Sequence, residues 1–106
     1  MNAHDFVSAW RSEKDALLAA FTDPASASAT ARLFSELQLS PPQQESLNTA
    51  LSAALTDTFY TLLLGLDGAA NIGGLQQQFH ISTADGTLVA KPGEIEASAW
   101  EHFHAS

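Results

Sequence analysis

Ser40-Pro41-Pro42-Gln43 begins the stretch that organises the chain, and Leu66-Asp67-Gly68 ends it. Serine followed three residues later by glutamine is a capping box, in which each side chain accepts a hydrogen bond from the other residue's backbone N–H. Prolines lose nothing in a first helical turn, where their missing N–H groups have no partner. The pattern predicts a helix from Pro41 to about Leu66, roughly 39 Å long at about 1.5 Å per residue. Leu47, Leu51, Ala54, Leu55 and Leu62 share one face. From Phe59 onward, apolar residues occupy nearly the whole circumference, which marks a central, buried helix. Thr56-Asp57-Thr58 is a place for a kink, and Gly68 supplies the left-handed residue that closes a helix C-terminus.

On the N-terminal side, Phe6, Trp10, Leu17 and Phe21, supported by Val7 and Leu18, recur at helical spacing and predict a helix from about Ala3 to Phe21. Asn2 is its N-cap, and Arg11, Glu13, Lys14 and Asp15 form its wet side. Thr22-Asp23-Pro24 ends that helix and opens another, from about Pro24 to Leu37. Small side chains fill its first half, and Leu33, Phe34 and Leu37 anchor its second.

On the C-terminal side, Leu75 to Ser82 alternates, with Leu75, Phe79 and Ile81 on a buried side. Ala84-Asp85-Gly86 is a turn signal, and Thr87 to Ala90 reads as the returning strand of a hairpin. Pro92-Gly93 breaks the pattern before a last helix from about Glu94 to Phe103, with Ile95, Ala99 and Phe103 on one face. The expected fold class is α+β, a single domain over residues 1–106 with three N-terminal helices, a β-hairpin and a C-terminal helix. A lone hairpin is marginal in water, so it should pack on the helices or extend a sheet across a subunit interface.

Composition agrees with a helix-rich domain. Alanine (19) and leucine (14) dominate the apolar residues, against five valines and isoleucines together. The 106 residues carry 12 acidic and 4 basic side chains, a formal charge of −8, and no cysteine. Thiol nucleophiles, cysteine-ligated metals and disulfides are thereby excluded. With Arg11, Lys14, Arg32 and Lys91 scattered singly, neither a phosphate backbone nor an anionic membrane surface is an expected partner. No N-terminal targeting pattern and no run approaching about 18 apolar residues is visible, so the expectation is a cytoplasmic protein.

No catalytic or cofactor constellation emerges. The glycines from Gly65 to Gly74 lack the lysine of a phosphate loop and follow a helix, so they read as a tight connector. His102 and His104 point to different faces of one helix, against the four-residue spacing of helical zinc pairs. Asp57, Tyr60, Leu64 and Asp67 fall on one stripe, and a polar group inside an apolar shell must be hydrogen-bonded or shift its pKa. Asp57, Tyr60 and Asp67 are therefore candidates for a small-molecule or metal site, with a structural hydrogen-bonding role as the alternative. The carboxylates of Asp57 and Asp67 lie about 15 Å apart along a straight helix, too far for paired acid–base catalysis. Glu94, Glu96, Trp100, Glu101 and Phe103 make an acidic, aromatic segment that fits either a protein-binding patch or a helix whose tryptophan packs on the core.

The run Leu39-Ser40-Pro41-Pro42-Gln43-Gln44-Glu45, the run from Asp57 to Gly68, the Asp85-Gly86 turn and the acidic aromatic end resemble small bacterial proteins of unassigned function. Some of these are similar to immunity proteins that neutralise toxins. The resemblance covers roughly Leu39 to Phe103 and carries no catalytic residue. Taken with the charge of −8, the missing catalytic constellation and the acidic aromatic end, it leads to the expectation of a non-enzymatic protein-binding module, of the immunity type, for a basic toxin. The alternatives are a homodimeric structural or regulatory module and a ligand or metal site around Asp57 and Tyr60.

Overall fold

The computed structural model describes residues 1–104 as four helices: α1 (Ala3–Thr22), α2 (Ala29–Glu36), α3 (Pro41–Leu66) and α4 (Glu94–Phe103). Local chemistry sets most of their ends. Asn2 Oδ1 accepts the Asp5 N–H at 2.8 Å at the start of α1. At α3 the capping box is complete, with Ser40 N–H donating to Gln43 Oε1 at 2.9 Å and Gln43 N–H to Ser40 Oγ at 3.4 Å. α3 then runs through Thr56-Asp57-Thr58 as one helix. α2 is shorter than its apolar pattern suggests. Asp23 Oδ1 accepts the Ala25 N–H, Ser26 Oγ donates to the Ala20 carbonyl, and Ser28 becomes the N-cap. Ser26 Oγ also takes the Ser28 N–H at 3.2 Å, a group that a helix begun at Pro24 would bond to the Pro24 carbonyl.

The expected α+β class is wrong: among the described residues there is no strand and no sheet, and the fold is all-α. In place of the hairpin, residues 67–93 form an irregular connection. It carries isolated antiparallel bridges at Ile72–Leu75 and Ser82–Leu88 and a bond from Val89 N–H to the Ile81 carbonyl. Leu75 and Phe79 do not turn inward but are exposed, while Val89 is buried and Ile81 and Ala90 pack against the helices. Glutamine side chains hold the segment instead. Gln76 Nε2 donates to the Gly68 carbonyl at 2.9 Å, and Gln78 Nε2 to Asp67 Oδ1 at 3.4 Å. These side-chain bonds hold 76–78 beside the end of α3, and the backbone pairing with residues 87–90 is confined to the Ser82–Leu88 bridge and the Val89–Ile81 bond.

The core sits at one end of the molecule. Ala3 and Val7 of α1, Leu63 of α3 and Ile95, Ala99 and Phe103 of α4 form one buried cluster. Around it, Trp10 meets Phe59 edge-on with ring centroids 5.6 Å apart, and Phe59 meets Phe103 at 6.4 Å. α2 packs on α1 toward the other end, where Phe21, Phe34 and Leu47 line a cavity of about 20 Å³, room for about one water. α3 is therefore buried near its C-terminus and largely exposed elsewhere; even Leu62 reaches solvent. Its most apolar 18-residue window has mean hydropathy 1.2, long and apolar enough by composition to cross a membrane, with 11% of that window buried. The domain measures 47 × 27 × 27 Å with a radius of gyration of 16.3 Å, above the roughly 13 Å of a round domain of about 100 residues. α3 sets the long axis.

Lys14 departs from its expected place on the wet side of α1. It lies on the inward stripe with Ala3 and Val7 and is 6% exposed. Burial is the main cause that lowers its pKa, Arg11 adds to the effect, and Asp15 opposes it.

Gly65 permits the closest approach in the connection. A Cβ there would stand 2.3 Å from Ile72 Cγ1 and 2.6 Å from its Cδ1. Alanine in a helix interior normally gains about 1 kcal/mol over glycine, but displacing a β-branched side chain costs about 1–3 kcal/mol. Gly65→Ala should therefore lower stability, by about 1 kcal/mol, in urea unfolding followed by circular dichroism; a gain would show that Ile72 moves freely.

Candidate functional site

Asp67 is the most constrained of the residues singled out by the sequence. It ends α3, where Gly68 adopts φ +75° and its N–H bonds the Gly65 carbonyl, while the Ala69 N–H bonds that of Leu64. That is a Schellman closure. The Asp67 side chain, 7% exposed, then reaches α4: Oδ1 accepts the Gly93 N–H at 3.0 Å and Oδ2 the Glu96 N–H at 2.9 Å. Gly93 at the N-cap of α4 has no side chain to do this, and Asp67 substitutes for it from another helix. With Gln78 as a third donor, its oxygens are committed to structure.

Asp57 and Tyr60 are not gathered to it. Asp57 is exposed on α3, and Tyr60 is half-buried, its ring edge-on to His104 with centroids 4.3 Å apart. The three residues therefore do not converge on a shared ligand.

The acidic aromatic helix divides by depth. Phe103 is core, whereas Glu94, Glu96, Trp100 and Glu101 are exposed, Trp100 by 56%. At 100° per residue, Glu96 and Trp100 occupy the flank of α4 that carries His104 and faces Tyr60 of α3. The Trp100 and His104 rings lie 5.3 Å apart. Glu94, Glu101 and His102 occupy the other flank, toward α1, where Asn2, Ala3, His4, Glu94, Ala97 and Ser98 line a shallow groove.

On this second flank His4, Glu101 and His102 bring one potential ligand atom each within 4.8 Å of one another. His4 has no spacing signal relative to the other two, because it stands near the opposite end of the sequence; only the packing of α1 on α4 unites them.

Eleven of the twelve carboxylates are exposed, Asp67 being the exception. Of the basic residues only Arg32 and Lys91 are exposed: Lys14 is buried, and half-buried Arg11 donates to the His102 carbonyl at 2.6 Å and to Asp15 at 3.3 Å.

Asp85 organises the exposed turn in the long connection. Its carboxylate accepts from Thr83 Oγ1 and from the Thr87 N–H. These bonds, Thr83 first, lower its pKa to about 2.

No family model, curated protein or solved structure matches the chain.

Two outcomes follow from these carboxylates. Asp67→Ala strips α4 of its cap and removes three charge-assisted bonds, two of them to α4, and should cost at least about 2 kcal/mol in urea unfolding; Asp67→Asn, which keeps one acceptor, should cost less. For Asp85, a folded pKa below the ordinary value means that the turn contacts are complete above about pH 4 and are lost as pH falls through about 2. An NMR titration of its side-chain carbon should find that midpoint; a value near 4 would mean the bonds are absent in solution.

Proposed function

We propose that this protein is a non-enzymatic binding module for a basic protein partner, in the manner of an immunity protein that neutralises a basic toxin. The observation that carries the reading is the one-sided distribution of charge: eleven exposed carboxylates against two exposed basic side chains. Arg11 is engaged by the His102 carbonyl and Lys14 is covered along its stem, so the outer surface is acidic in keeping with the formal charge of −8. Such a surface accelerates encounter with a basic partner and rejects acidic ones. Trp100, exposed beside Glu96 on one flank of α4, supplies the aromatic anchor that an electrostatic encounter needs to become a stable complex.

A second reading rests on the irregular connection. Leu75, Phe79 and Leu88 are exposed on a segment with few backbone partners, and a second copy of the chain pairing there would bury them as a homodimer.

Affinity capture from the native host should recover a basic protein. Its dissociation constant for the purified chain should rise steeply between low and moderate salt and at least about tenfold in Trp100→Ala. Recovery of no basic partner, or binding indifferent to both salt and Trp100, overturns the proposal. Light scattering at tens of micromolar tests the second reading, and a monomer sinks it.

A further inference from the structure

We propose that His4, Glu101 and His102 form a binding site for a divalent transition metal, zinc above all, that ties the first turn of α1 to the last turn of α4. The site is independent of the partner-binding reading, since Glu96 and Trp100 lie on the other flank of α4.

Geometry supplies the first support. One ligand atom from each residue lies within 4.8 Å of the others, and the two imidazole rings have centroids 4.8 Å apart at an interplanar angle of 53°. In a tetrahedral zinc site with bonds of about 2.0–2.2 Å, neighbouring ligand atoms stand about 3.4 Å apart. His4 and Glu101 are exposed and can close that difference by side-chain rotation, while His102 is half-buried and held.

The state of His102 is the second support. Its Nδ1 lies 2.9 Å from the Ser98 carbonyl oxygen. A carbonyl only accepts, so Nδ1 donates to it, and Nε2 is the nitrogen that the neutral ring offers a metal. A backbone carbonyl on the second ring nitrogen is the usual way a ligating histidine is oriented and made more basic. The backbone behind the ring is also fixed, because Arg11 donates to the His102 carbonyl at 2.6 Å. Nothing in the partner-binding reading uses this arrangement.

The surrounding charges favour a cation. The negative dipole end of α4 meets the positive end of α1 there, so the two helix ends offset and the carboxylates set the local charge. Asp5 adjoins His4 in sequence, and Glu94 lines the same groove as His4. The nearby cation is Arg11, whose charge is shared with Asp15 and the His102 carbonyl. Two imidazoles and one carboxylate select zinc and its borderline neighbours over magnesium and calcium, which prefer all-oxygen shells, and a fourth position remains for water. Binding to the folded chain alone would stabilise it by mass action, because in the unfolded chain His4 is far from Glu101 and His102.

The test is calorimetric titration and thermal unfolding of the full chain with zinc chloride. We expect one zinc per chain without dimerisation, a melting temperature that rises with zinc and returns with EDTA, and no response to magnesium chloride. Affinity should fall at least about tenfold when pH drops below the imidazole range of about 6.5. His4→Ala and Glu101→Gln, both at exposed positions, should each weaken binding at least about tenfold, and His80→Ala should not change it. Circular dichroism verifies that each variant is folded, and zinc-induced shifts of the His4 and His102 ring resonances give a readout on the intact chain. The inference is overturned by the absence of binding up to about 1 mM zinc, by affinity unchanged in His4→Ala, by loss of binding in His80→Ala, or by a zinc-linked dimer.

Discussion

One carboxylate holds the architecture together. α4 begins at a glycine, which positions the backbone at φ 90° but offers no side-chain acceptor for the unpaired N–H groups of the first turn. Asp67, at the end of α3, offers one oxygen to Gly93 and the other to Glu96. Charge-assisted bonds of this kind contribute about 1.5–3 kcal/mol each, and the negative charge also meets the positive end of the α4 dipole. The same charge is unfavourably placed at the end of α3. The three donors that surround it, and the Schellman closure at Gly68, offset that cost.

Much else depends on this junction. It fixes where α4 starts, and so brings Ile95, Ala99 and Phe103 against Val7 and Leu63. It also anchors both ends of the irregular connection, whose middle is held by glutamine side chains and the Asp85 turn rather than by a sheet. With α4 covering one end of the long α3 and α2 associated with the other end of α1, the molecule is elongated. Trp100 and the convergence of His4, Glu101 and His102 both sit at the cored end.

The helices were legible because their signals are local. Asn2, Ser40 with Gln43, and Gly68 each act within a few residues of the boundary they set. The start of α2 was less legible, since Asp23, Ser26 and Ser28 offer alternative bonds that apolar periodicity does not register. The hairpin was misread for a related reason. Alternation from Leu75 to Ser82 states where side chains can point, but a ladder also needs a partner strand in reach, and the glutamine side chains hold 76–78 beside the end of α3. Lys14 was misplaced because a lysine stem is apolar enough to share the inward stripe.

By itself the sequence determined where helices can begin and end, an acidic surface, and the absence of cysteine chemistry, because capping, propensity and charge are properties of residues and their near neighbours. Tertiary structure decided that Asp67 is a cap rather than a ligand, that Phe103 is core while Trp100 is exposed, and that His4 meets Glu101 and His102. Each of those outcomes depends on which helix faces which. That is settled by burying the apolar stripes of α1, α3 and α4 together, a cooperative choice that no single stretch of the chain encodes.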